Sequence, residues 1–261
     1  MTTPETSTGP PPSRGVSRAV QDLGQHRRHR QPALSGCHDV RRLGNPDHDA
    51  SIRVIHETLD AGITFIDTAD GYSGGESEEI LGKALAGGRR DDVVLAPKFH
   101  SAMSDDPNHR GNSRRWIIRE VENSLRRLNT DYIDLYQIHR PDSDTAIEQT
   151  LSALTDLVHQ DRIRYIGSSS FTGSQIVEAQ WPPANATWKP LVSEQPSYSI
   201  LVRTIEEDVL PTAARHGMGV LSYSPIAGGW LSGRWRKDAD ATALSPHHRG
   251  LMTSTWRPFS R

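Results

Sequence analysis

The chain has 261 residues and carries 30 lysines and arginines against 32 aspartates and glutamates, for a formal charge of −2. Acids are interspersed with the basic residues, and no basic run stands out beyond Arg27–Arg30, so a nucleic-acid partner is not indicated. A single cysteine, Cys37, excludes an internal disulfide framework and favours a reducing compartment. No apolar run approaches the ~18 residues of a membrane-spanning helix, and the N-terminus lacks the apolar core of a secretion signal. The sequence therefore predicts a cytoplasmic protein without membrane contact.

Composition divides the chain into three parts. Residues 1–43 contain three consecutive prolines, scattered arginines and no periodicity, which predicts a disordered or atypical N-terminal segment. Residues 44–235 carry regular apolar patterns, and residues 236–261 lose them again, which predicts an irregular tail. Two explanations for these abrupt changes stay open: shifted reading frames near the codons for Gly44 and Ala241, and truly divergent ends.

Strand and helix patterns alternate between these ends. Short runs rich in β-branched and aromatic residues predict six strands, over residues 63–66, 93–97, 132–138, 164–166, 191–195 and 219–223. Apolar residues at helical spacing predict helices that begin near Asp49 or Ser51, Ser77, Ser113, Thr145 and a capping box of Thr204 with Glu207. Strict alternation indicates an α/β fold with a parallel sheet and right-handed crossovers.

Four chemically active residues stand at or just beyond strand ends. Asp67, Lys98 and His139 end or directly follow strands, and Tyr72 lies in the glycine-rich turn after Asp67. Loops at the carboxyl ends of parallel strands hold the chemistry in α/β proteins, so these side chains are expected to lie together. Taken singly, each has a plainer interpretation. The aspartate could be a helix cap, the tyrosine and lysine could lie at the surface, and the histidine could be a hydrogen-bonded bystander.

The sequence around these residues resembles the aldo-keto reductase family. The resemblance covers residues 44–235 and is carried, in family order, by FIDTADGYSGGESEEILGKAL, LAPKFH, SLRRLNTDYIDLYQIHRPD, RYIGSSSF and SYSPIAGGWLSGRW. It implies an α/β fold of the TIM (β/α)8-barrel type. Because no first strand is recognisable before Gly44 and no eighth strand after Trp235, the barrel is expected to be incomplete.

The resemblance implies a catalytic tetrad of Tyr72, Asp67, Lys98 and His139 and no metal. It thereby implies NAD(P)H-dependent reduction of a small aldehyde or ketone to an alcohol. In this interpretation Tyr72 is the general acid, and Lys98 lowers its pKa. Asp67 holds Lys98 charged through a charge-assisted bond, and His139 donates a hydrogen bond to the carbonyl oxygen.

The resemblance also implies a set of cofactor contacts, with NADPH expected by kinship. Ser169, Ser170 and Gln195 match the residues that hold the nicotinamide carboxamide. Ser170 replaces the usual asparagine and offers one hydroxyl in place of an amide. Tyr223 matches the aromatic ring that stacks on the nicotinamide. The segment that wraps the pyrophosphate is matched by Ser224, Leu231, Ser232, Gly233 and Arg234.

Three other functions stay open. The first is a truncated, weakly active or inactive reductase remnant whose unclosed sheet exposes its edge strands. The second is a cofactor-binding accessory protein, because YSPIAGGWLSG also resembles the Shaker-type channel β subunits. The third is a Schiff-base aldolase that uses Lys98. The physiological substrate is not predicted, because variable loops build the substrate pocket in this family.

Overall fold

The structure is a computed structural model that describes residues 34–36, 47–181 and 188–233. All its strand pairings within the sheets are parallel. The strands are β1 (Leu34–Gly36), β2 (Phe65–Asp67), β3 (Val94–Ala96), β4 (Lys98–Phe99), β5 (Ile133–Ile138), β6 (Ile163–Ser169), β7 (Leu191–Gln195) and β8 (Gly219–Val220). Strands occur at all six predicted positions. The expectation of no strand before Gly44 is corrected, because β1 pairs with β2. Its three residues are too few to show a period.

Strands neighbour one another in chain order. They form two hydrogen-bonded groups, β1-β2-β3 and β4-β5-β6-β7-β8. The groups meet at Pro97, which separates β3 from β4 and has no N–H to donate. Pairing continues on both sides of the break, because Asp70 N donates to Lys98 O (2.9 Å) and Gln137 N donates to Pro97 O (3.0 Å). Sequential parallel order is the arrangement of a TIM-type barrel, which confirms the predicted fold class. The absence of an eighth barrel strand after Trp235 is a prediction about residues that lie outside the described ranges.

The helices of the described ranges lie between successive strands. They are α1 (His48–Asp60), α2 (Glu76–Ala84), α3 (Arg114–Leu128), α4 (Ile147–His159), α5 (Gly173–Gln180) and α6 (Val209–Arg215). Ser113 caps α3 as predicted, since its hydroxyl accepts a hydrogen bond from Trp116 N at 3.3 Å. None of the described helices is long and apolar enough to cross a membrane.

Two predicted helix caps are wrong, and one cap was not predicted. Asp47 caps α1, two residues before Asp49 and four before Ser51, because its carboxylate accepts from two backbone N–H groups of the first turn. The predicted capping box of Thr204 with Glu207 is wrong, since Thr204–Glu206 is a 3-10 turn without a side-chain cap. A capping box forms instead at α5, between Thr172 and Gln175.

Successive strand residues face opposite sides of the sheet, which separates two apolar clusters. Outward residues such as Ile66 and Leu95 pack with the buried faces of the helices. Asp67, Lys98 and Gln137 alternate in phase with the inward residues and so belong to the interior of the barrel. The interior apolar cluster consists of Phe65, Val94, Ala96, Leu135 and Leu221.

Gly167 leaves the barrel interior open beside Gln137. A Cβ atom at this position would lie 2.6 Å from Ser193 Oγ and 3.2 Å from Gln137 Cγ. Both distances are too short for a side chain to fit without displacing a neighbour. The pairing of β6 with β7 also shifts register between Ile166 and Gly167. The glycine therefore makes room for the Gln137 side chain.

A buried ion network joins α2 to α3 behind the strand ends. Arg127 Nε donates to Glu78 Oε2 at 2.7 Å, and Arg127 Nη2 donates to Glu120 Oε1. Both glutamate side chains are completely buried. Burial raises the pKa of Glu78 to about 7 although Arg127 opposes the shift. The helices approach closely here, since a Cβ on Gly82 would lie 2.5 Å from Arg127 O.

Candidate active site

Asp67 and Lys98 form the centre of the site. Asp67 is the last residue of β2, and Lys98 is the first residue of β4, directly after the Pro97 break. Lys98 Nζ donates to Asp67 Oδ1 at 2.5 Å and to Thr68 O at 3.0 Å. The lysine side chain is 1% exposed, so its charge depends on these two acceptors for stabilisation.

The second oxygen of Asp67 accepts two amide hydrogen bonds. Gln137 Nε2 donates to Asp67 Oδ2 at 3.1 Å, and Gln195 Nε2 donates to the same atom at 2.8 Å. Gln195 is predicted as a contact of the nicotinamide carboxamide, and in this structure its amide nitrogen is directed to Asp67. Gln137 is not predicted. The signal that could have found it is a polar residue in the otherwise apolar run of β5, on the barrel-facing side.

Tyr72 and His139 lie above the ion pair. Tyr72 begins a 3-10 turn (Tyr72–Gly75), in which Ser73 and Gly74 adopt left-handed backbone conformations. Lys98 Nζ lies 5.1 Å from the centre of the Tyr72 ring. The His139 ring meets the Tyr72 ring edge to face, with centres 5.7 Å apart. The structure thus brings all four predicted tetrad residues together at the carboxyl ends of β2, β4 and β5.

The ionisation of Tyr72 differs from the sequence-based expectation. Burial raises the pKa of the Tyr72 phenol well above its usual range, and the negative charge of Asp67 raises it further. The positive charge of Arg140 acts in the opposite direction. The expectation that Lys98 brings this pKa below its usual value is therefore not met, although Lys98 Nζ lies 5.1 Å from the ring, because burial and Asp67 shift the pKa upward overall. Tyr72 is therefore a neutral phenol at physiological pH, which is the form that can donate a proton.

The predicted carboxamide-binding serines lie at the end of β6. Ser169 is buried, and its hydroxyl donates to Gln195 O at 2.8 Å. Ser170 follows in a left-handed conformation with φ 62°, and its hydroxyl accepts a hydrogen bond from Arg140 Nη1 at 2.6 Å. Tyr223 is half-buried beyond β8 and forms a bridge with Ser197. These hydroxyls, together with the flat ring, suit a planar ring that carries an amide.

The predicted pyrophosphate segment forms a series of tight turns after β8. Ser224 is exposed, with φ 57°, and its carbonyl accepts from Ala227 N at 2.8 Å. Leu231 is half-buried, and the exposed Ser232 donates from its hydroxyl to Gly229 O at 2.6 Å. Gly233 is the last described residue of this segment. Arg234 lies outside the described residues.

Glu194 is a further residue of the site that the sequence does not reveal. It lies in β7 next to Gln195, and its Oε2 accepts from Ser168 Oγ at 2.5 Å while its Oε1 accepts from Phe171 N at 3.0 Å. Burial raises the pKa of Glu194 to about 7, although these hydrogen bonds oppose the shift. Its carboxyl group holds both ends of the Ser169–Ser170 segment. An acid within the predicted strand 191–195 is the signal that could have found it.

Comparison with known proteins identifies the family. Residues 38–255, well over half of the chain, match the model described as the aldo/keto reductase family. The chain belongs to the aldo/keto reductase family. The match extends beyond the resemblance over residues 44–235 at both ends, and it begins just after β1 of this aldo/keto reductase.

Individual relatives agree with this assignment. The chain is 42% identical to the uncharacterized oxidoreductase YrpG of Bacillus subtilis over 206 residues, which are 75% of this chain and 63% of that protein. It is 41% identical to the aldo-keto reductase YhdN of the same organism over 196 residues, 75% of this chain and 57% of that protein. The chain thus spans less than two thirds of either relative.

A solved structure supports the fold of this aldo/keto reductase. The aldo-keto reductase AKR11C1 from Bacillus halodurans, in its holo form, superposes with a TM-score of 0.70 at 34% sequence identity. The similarity covers 92% of this chain and 77% of that one. At this identity and coverage, the barrel arrangement and the order of its strands are shared.

Proposed function

We propose that this aldo/keto reductase is an NADPH-dependent enzyme that reduces aldehydes or ketones to alcohols, with Tyr72 as the general acid. One observation carries the proposal: a phenol, an imidazole and a buried lysine–aspartate pair meet at one edge of the barrel, with Lys98 Nζ 5.1 Å from the Tyr72 ring. In the balanced reaction, R₂C=O, NADPH and H⁺ give R₂CHOH and NADP⁺. The bound cofactor supplies the hydride, and Tyr72 supplies the proton to the carbonyl oxygen.

Each residue of the tetrad has a distinct task. Tyr72 is protonated at neutral pH, since a phenol ordinarily has a pKa near 10 and burial raises it further, so its O–H can donate to the oxygen on which negative charge develops. Lys98 places a positive charge beneath the phenol ring and stabilises the phenolate after proton transfer. Asp67 orients Lys98, and His139 beside Tyr72 donates a second hydrogen bond to the carbonyl oxygen.

The cofactor contacts follow the ends of β6, β7 and β8. Ser169, Ser170 and Gln195 hold the carboxamide, and the flat face of Tyr223 stacks on the ring. Ser224, Leu231, Ser232, Gly233 and Arg234 hold the pyrophosphate. The choice of NADPH over NADH rests on kinship. The holo state of the Bacillus halodurans relative supports cofactor binding at this fold.

Cofactor binding and turnover test the proposal directly. Titration with NADPH is expected to quench tryptophan fluorescence, with Trp230, which directly precedes Leu231, as a reporter within the pyrophosphate segment. Addition of an aromatic aldehyde is then expected to oxidise the NADPH, measured at 340 nm. Binding without turnover of any aldehyde would support the inactive-remnant or accessory interpretation. Absence of both binding and turnover in folded protein would overturn the proposed function.

Removal of the Tyr72 hydroxyl tests the role of this residue as the general acid. Tyr72→Phe is expected to lower kcat by ~10²–10⁴-fold with little change in the Kd for NADPH, because the ring remains and only the proton donor is lost. Tyr132→Phe is the matched control. Tyr132 directly precedes β5 at the opposite end of that strand, where its ring lies between Arg90 and Arg164. Equal kcat in the two variants would exclude Tyr72 as the acid.

A further inference from the structure

Arg140 presents a cation at the mouth of the candidate active site. It directly follows His139, whose ring contacts the Tyr72 ring. Its backbone is fixed from the buried side, because Asn112 Nδ2 donates to Arg140 O at 3.0 Å and Asn112 is itself 2% exposed. Its guanidinium reaches across to the end of β6 and donates to Ser170 Oγ at 2.6 Å. The charge is therefore held at a defined position between the ends of two strands.

No carboxylate within the described ranges forms an ion pair with Arg140. The nearest acid that follows it in the chain, Asp142, is directed elsewhere. Its oxygens accept from Asn112 N at 2.9 Å, from Asp144 N at 2.9 Å and from the Thr145 hydroxyl at 3.0 Å. These hydrogen bonds hold the pKa of Asp142 below its usual range although burial opposes the shift, and within the described residues Arg140 is not among its donors. The guanidinium offers five N–H donors, of which Ser170 uses one.

The position of Arg140 places its charge beside the candidate active site. It directly follows His139, whose ring contacts the Tyr72 ring, and its guanidinium bonds Ser170 at the end of the neighbouring strand. A carbonyl group that accepts hydrogen bonds from Tyr72 and His139 would therefore have its substituents on the side of the guanidinium. An exposed, planar donor fork suits a carboxylate, which it can bind through two parallel hydrogen bonds.

We propose that Arg140 is a substrate-binding residue that recognises a carboxylate on the carbonyl compound, so that the preferred substrates are aldehydes or ketones bearing an acid group. This inference rests on the proposed reductase function and adds the chemical class of its substrate. Arg140 touches no atom that is oxidised or reduced. Its contribution falls on KM for anionic substrates, because the ion pair forms on binding and persists through the reaction.

The same cation could serve an anion of the cofactor, since Ser170 belongs to the proposed carboxamide contacts. The experiment separates the two sources. Wild type and Arg140→Gln are assayed with 4-carboxybenzaldehyde and with its neutral methyl ester, methyl 4-formylbenzoate, and the Kd for NADPH is measured for each protein. Arg140→Lys tests whether the charge alone is sufficient. Arg162→Gln is the matched control, because Arg162 directly precedes β6, at the opposite end of that strand from Ser170, and pairs with Glu122 at 3.5 Å.

The expected result is a loss of kcat/KM for the acid substrate but not for its ester. Arg140→Gln lowers kcat/KM for 4-carboxybenzaldehyde by about 10- to 100-fold, the range for a hydrogen bond to a charged group, while kcat/KM for the ester changes less than about twofold. Arg140→Lys recovers part of the loss, and Arg162→Gln shows none. Comparing each variant with wild type on the same substrate cancels the intrinsic reactivity of the two aldehydes.

Three results would overturn the inference about Arg140. Equal losses on the acid and the ester would mean that Arg140 acts on Tyr72 or on the cofactor. A weaker Kd for NADPH with no selectivity between substrates would assign the anion to the cofactor. No loss on either substrate would leave Arg140 without a binding role. By contrast, failure of the wild type to reduce even the ester would overturn the proposed function itself.

Discussion

Lys98 and Asp67 form an ion pair whose two members are unequally supported. The side chains are 1% and 8% exposed, and the atoms Nζ and Oδ1 lie 2.5 Å apart. Without Lys98, Asp67 would keep two amide donors, Gln137 and Gln195. Without Asp67, Lys98 would keep, among the residues that the structure describes, only the carbonyl of Thr68 as a hydrogen-bond acceptor. The anion is thus the better compensated half of the pair.

This asymmetry predicts unequal losses of stability. Asp67→Ala is expected to lower the free energy of unfolding by about 3–5 kcal/mol, because it leaves a buried ammonium unpaired. Lys98→Met is expected to cost about 1–3 kcal/mol, since the amides still satisfy Asp67. Urea unfolding at pH 7 measures both, with the exposed Lys83→Met as control. A larger loss for Lys98→Met than for Asp67→Ala would contradict the prediction.

The raised pKa of Tyr72 predicts the pH dependence of the reaction. The phenol stays protonated past its usual value near 10, so kcat for aldehyde reduction should show no decline from Tyr72 ionisation up to about pH 10. Alcohol oxidation needs the phenolate as proton acceptor and should rise with pH over the same range. Rates between pH 6 and 10 in both directions test this. A decline in reduction near pH 8 that Tyr72→Phe abolishes would contradict it.

The buried network between α2 and α3 predicts a large effect away from the site. Arg127→Met is expected to lower the free energy of unfolding by about 3–5 kcal/mol at pH 8, because Glu78 and Glu120 lose their shared cation. The loss should be smaller at pH 5, below the Glu78 pKa of about 7, where protonation of that carboxyl removes one of the unpaired charges. Urea unfolding at the two pH values measures it. Arg126→Met, an exposed change on the same helix, should cost less than about 1 kcal/mol. Equal losses at the two positions would contradict the role of the network.

Glu194 predicts a specific contribution to the pH dependence of stability. Its pKa is about 7 in the folded chain against an ordinary 4.5, so the folded chain binds more protons between these values. The contribution of Glu194 to the free energy of unfolding then falls as pH rises from about 4.5 to about 7 and levels off above that range. Glu194→Gln should reduce this fall by on the order of 1–3 kcal/mol, whereas the exposed Glu207→Gln should leave it unchanged. Urea unfolding at pH 5, 6 and 7.5 distinguishes them. An unchanged fall in Glu194→Gln would contradict the prediction.

The elements whose residues show strong local sequence patterns are predicted well. β5 and α3 follow from an unbroken apolar run and from apolar residues at helical spacing behind the Ser113 cap. β1 has three residues and carries no period, so its pairing with β2 depends on the assembled sheet. Thr204 and Glu207 have the residue types and spacing of a capping box, yet that segment forms a 3-10 turn. The capping box that does form joins Thr172 to Gln175 at the start of α5.

In the candidate site, too, some residues are predicted from local patterns and others are not. Asp67, Lys98 and His139 are recognisable because each directly follows a run that the sequence predicts to be a strand. The partners that set their chemistry come from distant segments, as with Gln137, which is 70 residues from Asp67 along the chain, and with Gln195, which is 128 residues away. Contacts of that length depend on how strands are placed around the barrel, which a local pattern does not encode.

Gly167, in β6, affects the active site although it supplies no acid or base. Because nothing projects from that position, Gln137 can extend its amide to the carboxylate that orients the lysine. A methyl group there would have to push that amide aside or displace Ser193. An engineer who reshapes this barrel for another reaction should therefore keep position 167 bare, or shorten residue 193 in the same step.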